Sequence, residues 1–159
     1  MSDRQYWEQT KQAIIAYARE LGIDKIGFAS ADPFLTLKER LLEHREKGYE
    51  SGFEEPDLDK RTDPGLSLDG ARSLIAIALA YPSKMDNPPK SEPGAYRGIL
   101  CRAAWGTDYH HVLREKLDKL AGYICELEPG ARVESMVDTG ALSDRAVAER
   151  AGLGWGGKN

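Results

Sequence analysis

Apolar positions along the chain change their period several times, and each change marks an element. Trp7, Ile14, Tyr17, Ala18 and Leu21 recur at helical spacing and predict a helix from Asp3 to Leu21, stopped by Gly22. Lys25 to Ala29 reads as a short strand. Asp32-Pro33 then opens a second helix whose apolar face is Leu37, Leu41 and Leu42. From Gly48 to Leu68 the residues turn to Gly, Pro and acids, which predicts a long loop. Its charge run, Glu43 to Lys60, is acidic overall and reads as a solvated face ill suited to phosphate. Ser73 to Tyr81 is nearly continuous apolar sequence between Gly70 and Pro82, the pattern of a buried central strand.

The second half follows the same logic. Met85 to Gly94, with three prolines, is a loop, and Ile99 to Trp105 reads as a strand. Leu113, Leu117, Leu120, Ile124 and Leu127 share one face of a helix from Tyr109 to Leu127, with Asp108 as its N-cap and Pro129-Gly130 as its stop. Arg132 to Val137 predicts a strand, and Ser143 to Ala151 a short helix capped by Ser143 and closed by Gly152. Helices and strands mix without the regular alternation of a doubly wound fold, so the class is α+β, an irregular α/β sandwich. The chain ends on Gly154-Trp155-Gly156-Gly157-Lys158-Asn159, which reads as an interior turn. The expectation is one domain, 1–159, truncated at its C-terminal end.

Composition narrows the function classes. With 159 residues, 30% charged and 41% hydrophobic, the chain suits one globular domain burying about 70% of its unfolded surface. A net charge of −4 argues against a basic nucleic-acid clamp. The absence of an apolar run of about 18 residues or a secretory h-region makes a cytoplasmic protein without a membrane role the expectation. The two cysteines, Cys101 and Cys125, form no C-x-x-C pair and fall short of the roughly four thiolates of an iron–sulfur cluster.

Three motifs near the C-terminal end fail on context. Asp138-Thr139-Gly140-Ala141 matches the aspartic-protease string, but that chemistry needs two such loops in an almost all-β chain. Gly152-x-Gly154-x-x-Gly157 has the spacing of a dinucleotide fingerprint, yet a helix precedes it where a strand is required. Gly152 to Lys158 approaches a phosphate-binding loop but places Asn159 where Ser or Thr would hold Mg²⁺.

Four segments together resemble a known family. They are Lys60-Arg-Thr-Asp-Pro64, Cys101-Arg-Ala-Ala-Trp-Gly-Thr-Asp-Tyr-His110, Met136-Val-Asp-Thr-Gly140 and Ser143-Asp-Arg-Ala-Val-Ala-Glu-Arg-Ala-Gly-Leu-Gly-Trp155. In order and spacing they resemble the N-terminal part of epoxyqueuosine reductases, from about Gly22 to Asn159. The resemblance implies reduction of the epoxide of epoxyqueuosine in tRNA to queuosine. It also implies a cobalamin-binding domain related to nitroreductases and reductive dehalogenases. Two 4Fe-4S clusters would lie in a missing C-terminal part, fed by an external electron donor, and the enzyme is expected to be a monomer. Ala141, where many members carry Pro, and Gly156-Gly157 depart from the family pattern.

The same resemblance implies residue roles. Asp138 matches the proposed proton donor to the opening epoxide, a role that needs an acid protonated near neutral pH; on chemistry alone the favoured reading is a turn aspartate ending a strand, and the resemblance reverses that preference. Arg145 matches an arginine beneath the cobalt face, against a surface arginine paired with Asp144 or Glu149. Arg61 and Cys101 match cobalamin-contacting positions; otherwise they are a loop partner of Asp59 or Asp63 and a small buried hydrophobe. Tyr109, His110 and Asn159 complete the expected cofactor contacts, and Cys125 is expected to pack in the core. No residue is assigned as a metal ligand, since His110 and His111 point apart on a helix. Two rivals remain: a non-catalytic cobalamin-binding module working with a partner, and a flavin-binding nitroreductase-like protein.

Overall fold

A computed structural model describes residues 2–81, 84–98 and 100–157. Helix α1 (Asp3–Glu20) starts at Ser2, whose hydroxyl accepts the Gln5 N–H, and ends before Gly22 at φ +71°. Strand β1 (Lys25–Ser30) pairs antiparallel with β2 (Ser73–Ala78), in a register that sets Lys25 opposite Ala78 and Ser30 opposite Ser73. Between them in sequence lie α2 (Leu35–Glu46), α3 (Leu58–Thr62) and α4 (Pro64–Ser67). A 3-10 turn at Arg102–Ala104, the long helix α5 (Tyr109–Leu127) and the short α6 (Asp144–Arg150) complete the chain. The class is α+β, as the pattern predicts.

The core is formed where α1 crosses α5. Ile14 and Ala18 of α1, Ile23 between α1 and β1, and Leu120 of α5 are buried together, with Tyr17, Phe28, Ile77 and Leu127 around them. Tyr17 stacks on Tyr123 with ring centroids 4.2 Å apart. α6 lies against the sheet so closely that a Cβ on the buried Gly27 would run into the Ala151 carbonyl oxygen. Its Arg150 caps the far side: the guanidinium sits 3.3 Å from the centroid of the Phe34 ring and donates to the carbonyls of Ser30, Asp32 and Pro33.

Several expectations are corrected. Helix α2 begins at Leu35, not at Asp32-Pro33, because Arg150 holds the 30–33 carbonyls in an extended run. Its Leu42 is exposed. The 48–68 stretch is not all loop: Asp57 accepts from the Asp59 and Lys60 N–H groups and starts α3, and Asp63 accepts from Gly65 N–H and starts α4 with Pro64 at its first turn. Cys101 to Trp105 forms the 3-10 turn where a strand was expected, and Ile99 lies outside the described residues. Arg132 to Val137, expected as a strand, has no regular structure and pairs with no described strand. β2 is not a central strand, since it has one described partner and only Ala76 is buried. Cys125 is exposed, its thiol 3.6 Å from the Ala131 carbonyl, and Cys101 is exposed as well.

The exposed area explains the thin core. It amounts to 11891 Å², whereas a compact chain of this mass exposes about 7,900 Å². The chain therefore buries about half of its unfolded surface rather than the 70% its length suggests.

Candidate active site

The 136–144 segment leads into α6 and carries the centre of the site. Val137 is buried and anchors it. Asp138, next in line, has φ +56°, a conformation that costs an ordinary side chain about 1–2 kcal/mol and that Asp tolerates better than most. Thr139 N–H donates to the Val137 carbonyl at 2.5 Å, closing a three-residue turn around Asp138. The Asp138 N–H donates in turn to Asp144 Oδ2 at 3.1 Å. Gly140 follows because nothing larger fits: a Cβ there would stand 2.6 Å from Met136 Sδ and 2.8 Å from Met136 Cβ.

This turn sets the Asp138 carboxylate against the start of α5. Asp108 caps that helix as expected, its Oδ1 accepting the His110 N–H at 2.9 Å. The same oxygen accepts from His110 Nδ1 at 2.7 Å. Tyr109 and His110 stack with centroids 4.1 Å apart, and both reach Asp138 Oδ2: the Tyr109 hydroxyl donates at 2.9 Å, and His110 Nε2 faces it at 3.5 Å. The hydrogen bond to Asp108, together with both carboxylates' charge, holds the His110 imidazole above its usual range. Asp108 is held below its own range, chiefly by the His110 backbone N–H. The bond to Asp138, then desolvation, pushes the Tyr109 phenol up. Burial, with the Asp138 charge adding, pushes the Asp144 carboxyl up.

Beside this cluster lies a cavity of about 970 Å³, at the upper end of the range for cofactor pockets. Leu74, Leu113 and Leu117 line it with Tyr109, Asp138 and Arg145, so three expected site residues meet on one apolar wall. Arg145 has no carboxylate partner among the described residues; the pairing with Asp144 or Glu149 does not form. Arg61 and Cys101 do not line this cavity. Arg61 is half-buried in α3 and has no ion pair among the described residues, since Asp59 binds Lys38 and Asp63 caps α4. Cys101 stands exposed at the head of the 3-10 turn. Asn159 and its neighbour Lys158 lie outside the described residues. The Asp138 side chain is 65% exposed, so the deep burial expected of a proton donor is absent; the nearby negative charge is supplied by Asp144.

Residues 61–139 match the family model described as Epoxyqueuosine reductase QueG, DUF1730. An epoxyqueuosine reductase of Bacillus anthracis is 63% identical over 153 residues, 96% of this chain and 40% of that protein. The chain belongs to the epoxyqueuosine reductase family. It spans about two-fifths of the length of such relatives. A crystal structure of an epoxyqueuosine reductase with an epoxyqueuosine-modified tRNA-Tyr stem loop matches with TM-score 0.84 at 56% identity, covering 93% of this chain and 39% of that one. An epoxyqueuosine reductase from Bacillus subtilis, whose aspartate-bearing catalytic loop is swung out of its active site, matches with TM-score 0.85 at 54% identity over 93% and 39% of the two chains.

Sequence reasoning left two members of this side-chain cluster without a role. Asp108 passed as a helix cap, although its carboxylate also binds the His110 ring. Asp144 passed as a surface partner for Arg145, although it holds the Asp138 turn. Ser143 precedes α6 without the side-chain capping bond expected of it. The acid directly after it is a signal for the second; for the first, only the ring's approach to the same oxygen reveals the added role.

Proposed function

We propose that this chain is the cobalamin-binding region of a cytoplasmic epoxyqueuosine reductase, with Asp138 as the acid that protonates the epoxide oxygen of epoxyqueuosine in tRNA. The observation that carries this reading is Asp138 itself, held at φ +56° on the wall of the cavity that Arg145 also lines. Backbone held in a sparsely populated region is characteristic of residues placed for function. The relatives' names supply the substrate, and the B. subtilis relative supports an aspartate on a movable catalytic loop.

The residues present suit a large, mostly apolar cofactor. The cavity volume and leucine-rich wall accept a bulky ring edge, and the unpaired guanidinium of Arg145 favours an electron-rich metal centre without ligating it. Among the described residues no group of His, Cys, Asp and Glu is arranged to bind a metal ion directly, so the protein would hold the cofactor through its organic periphery. Arg145, Tyr109 and Asp138 would face it from the cavity, with Arg61, Cys101, His110 and Asn159 as outer contacts. When bound, cobalamin supplies reducing electrons to the epoxide. The protein's own part is to place Asp138, keep bulk water from the apolar wall and deliver protons.

The fold would then be the nitroreductase-like cobalamin domain, with the two 4Fe-4S clusters and the remaining tRNA contacts in the other three-fifths of the enzyme. The excess exposed area supports that division, since further chain would cover it. The test is titration of the full-length protein with cob(II)alamin, followed by visible and EPR spectra. A stoichiometric base-off spectrum, weakened by Arg145→Leu, is expected. A folded protein that leaves the corrinoid spectrum unchanged, or that carries flavin absorbance instead, overturns the assignment.

A further inference from the structure

Removing an epoxide oxygen as water breaks two C–O bonds, forms one C=C bond, and consumes two electrons and two protons at the same oxygen. A carboxylic acid holds one proton. Asp138 must therefore be reloaded within the turnover, or a second acid must act. Resting on the proposed function, we infer that His110, oriented by Asp108, is the residue that returns the second proton to Asp138.

The geometry places each atom. Asp108 Oδ1 accepts from His110 Nδ1 at 2.7 Å and from the His110 backbone N–H at 2.9 Å, which fixes the ring and commits Nδ1 as a donor. The other ring nitrogen, Nε2, then faces Asp138 Oδ2 at 3.5 Å, one small movement from hydrogen-bond contact. Such contacts commonly tighten only when substrate is bound. Stacking on Tyr109 holds the ring plane, and the Tyr109 hydroxyl on the same Oδ2 leaves Oδ1 for the substrate oxygen.

The balance closes in two steps. Asp138 first gives its Oδ1 proton to the alkoxide formed as the first C–O bond breaks, with electrons from the reduced corrinoid. The imidazolium Nε2–H bond then breaks as the Oδ2–H bond forms, leaving His110 neutral. A half-turn of the carboxyl group, whose terminal torsion is broad and two-fold, presents the new proton to the oxygen as the second C–O bond breaks and water leaves. Two protons from solvent then restore the starting state, one passed through His110 to Asp138 and one kept on His110, whose side chain is 36% exposed. The charged and titratable groups facing it are Asp108 and Tyr109 at the start of its own helix and Asp138 across the gap, and these two carboxylates favour the imidazolium; Asp144, behind the turn, acts on Tyr109. Arg114, one turn along α5, reaches instead toward the Ser135 carbonyl.

His110 acts through Asp138 and is a positioning and reloading residue. The test compares full-length wild type with His110→Gln, Asp108→Asn and Asp138→Asn. Histidine NMR titration, which needs no cofactor, is expected to show the His110 midpoint falling in both Asp108→Asn and Asp138→Asn. In reconstituted enzyme, His110→Gln should lower turnover about tenfold or more, shift the high-pH decline of the wild type, and recover with added imidazole. An unchanged His110 midpoint in Asp138→Asn overturns the relay. So does a His110→Gln enzyme with wild-type rate and pH profile beside an inactive Asp138→Asn, an outcome that leaves the role of Asp138 standing. Wild-type turnover by Asp138→Asn removes both.

Discussion

The Tyr109 hydroxyl donates to Asp138 Oδ2 at 2.9 Å across 29 residues of sequence, tying the first turn of α5 to the strained turn before α6. The Asp108-capped start of α5 and the turn that precedes α6 thus meet at one carboxylate oxygen. Much of the site's behaviour follows from that meeting.

Tyr109→Phe removes this hydrogen bond and keeps the ring that stacks on His110. The bond is weaker than a buried one because both side chains are exposed. Turnover of the full-length enzyme should fall about 3- to 30-fold with little change in corrinoid affinity. Steady-state kinetics beside a corrinoid titration check both halves; a large loss of cofactor binding with unchanged turnover contradicts the placement.

Gly140→Ala puts a methyl group onto Met136, where the Met136 Cβ as well as its sulfur is in the way. Overpacking of this kind costs about 1–3 kcal/mol. Chemical denaturation should show that loss. Trimming the partner distinguishes the cause: Met136→Ala should not restore Gly140→Ala, because the Cβ at 2.8 Å remains, whereas Met136→Gly should relieve the collision.

Stability should depend on pH through the Asp108–His110 pair. His110 holds its proton to higher pH in the folded state than in the unfolded one. Its contribution is therefore complete below about pH 6.5 and lost as pH rises through the raised folded value. Asp108 has the opposite sign: its contribution is present above about pH 3.9 and lost as pH falls through the depressed folded value. Denaturation midpoints across this range should show a plateau between the two, and Asp108→Asn should flatten both shoulders.

The two cysteines give a direct check on the packing. Both are exposed, so both should react with iodoacetamide in the folded protein. Cys125→Ser should change stability by no more than about 0.5 kcal/mol. A protected Cys125, or a cost of several kcal/mol, would place it in the core instead.

The parts legible in the sequence are those decided locally. α5 shows its apolar face and its Asp108 cap in consecutive residues, and its observed span, Tyr109–Leu127, is the one expected. α1 and β1 were legible for the same reason. Asp57 and Asp63 each cap a helix of one turn, too short for any apolar period to register. Arg132 to Val137 has a strand's composition, but a strand exists only with a partner, and no described strand lies beside it. In the site, family resemblance indicated Asp138 and Arg145, while the placement of Asp108 and Asp144 depends on contacts between α5, the turn and α6.

The central claim is that Asp138 supplies a proton to the substrate and does not merely shape a turn. Asn tolerates positive φ as well as Asp does, so Asp138→Asn preserves the backbone while removing the acid. Single-turnover reduction of an epoxyqueuosine-containing tRNA stem loop by the reconstituted full-length variant is the most direct measurement. The account predicts normal corrinoid binding with a rate lowered about 10²- to 10⁴-fold. A near-normal rate with the cofactor bound would contradict it.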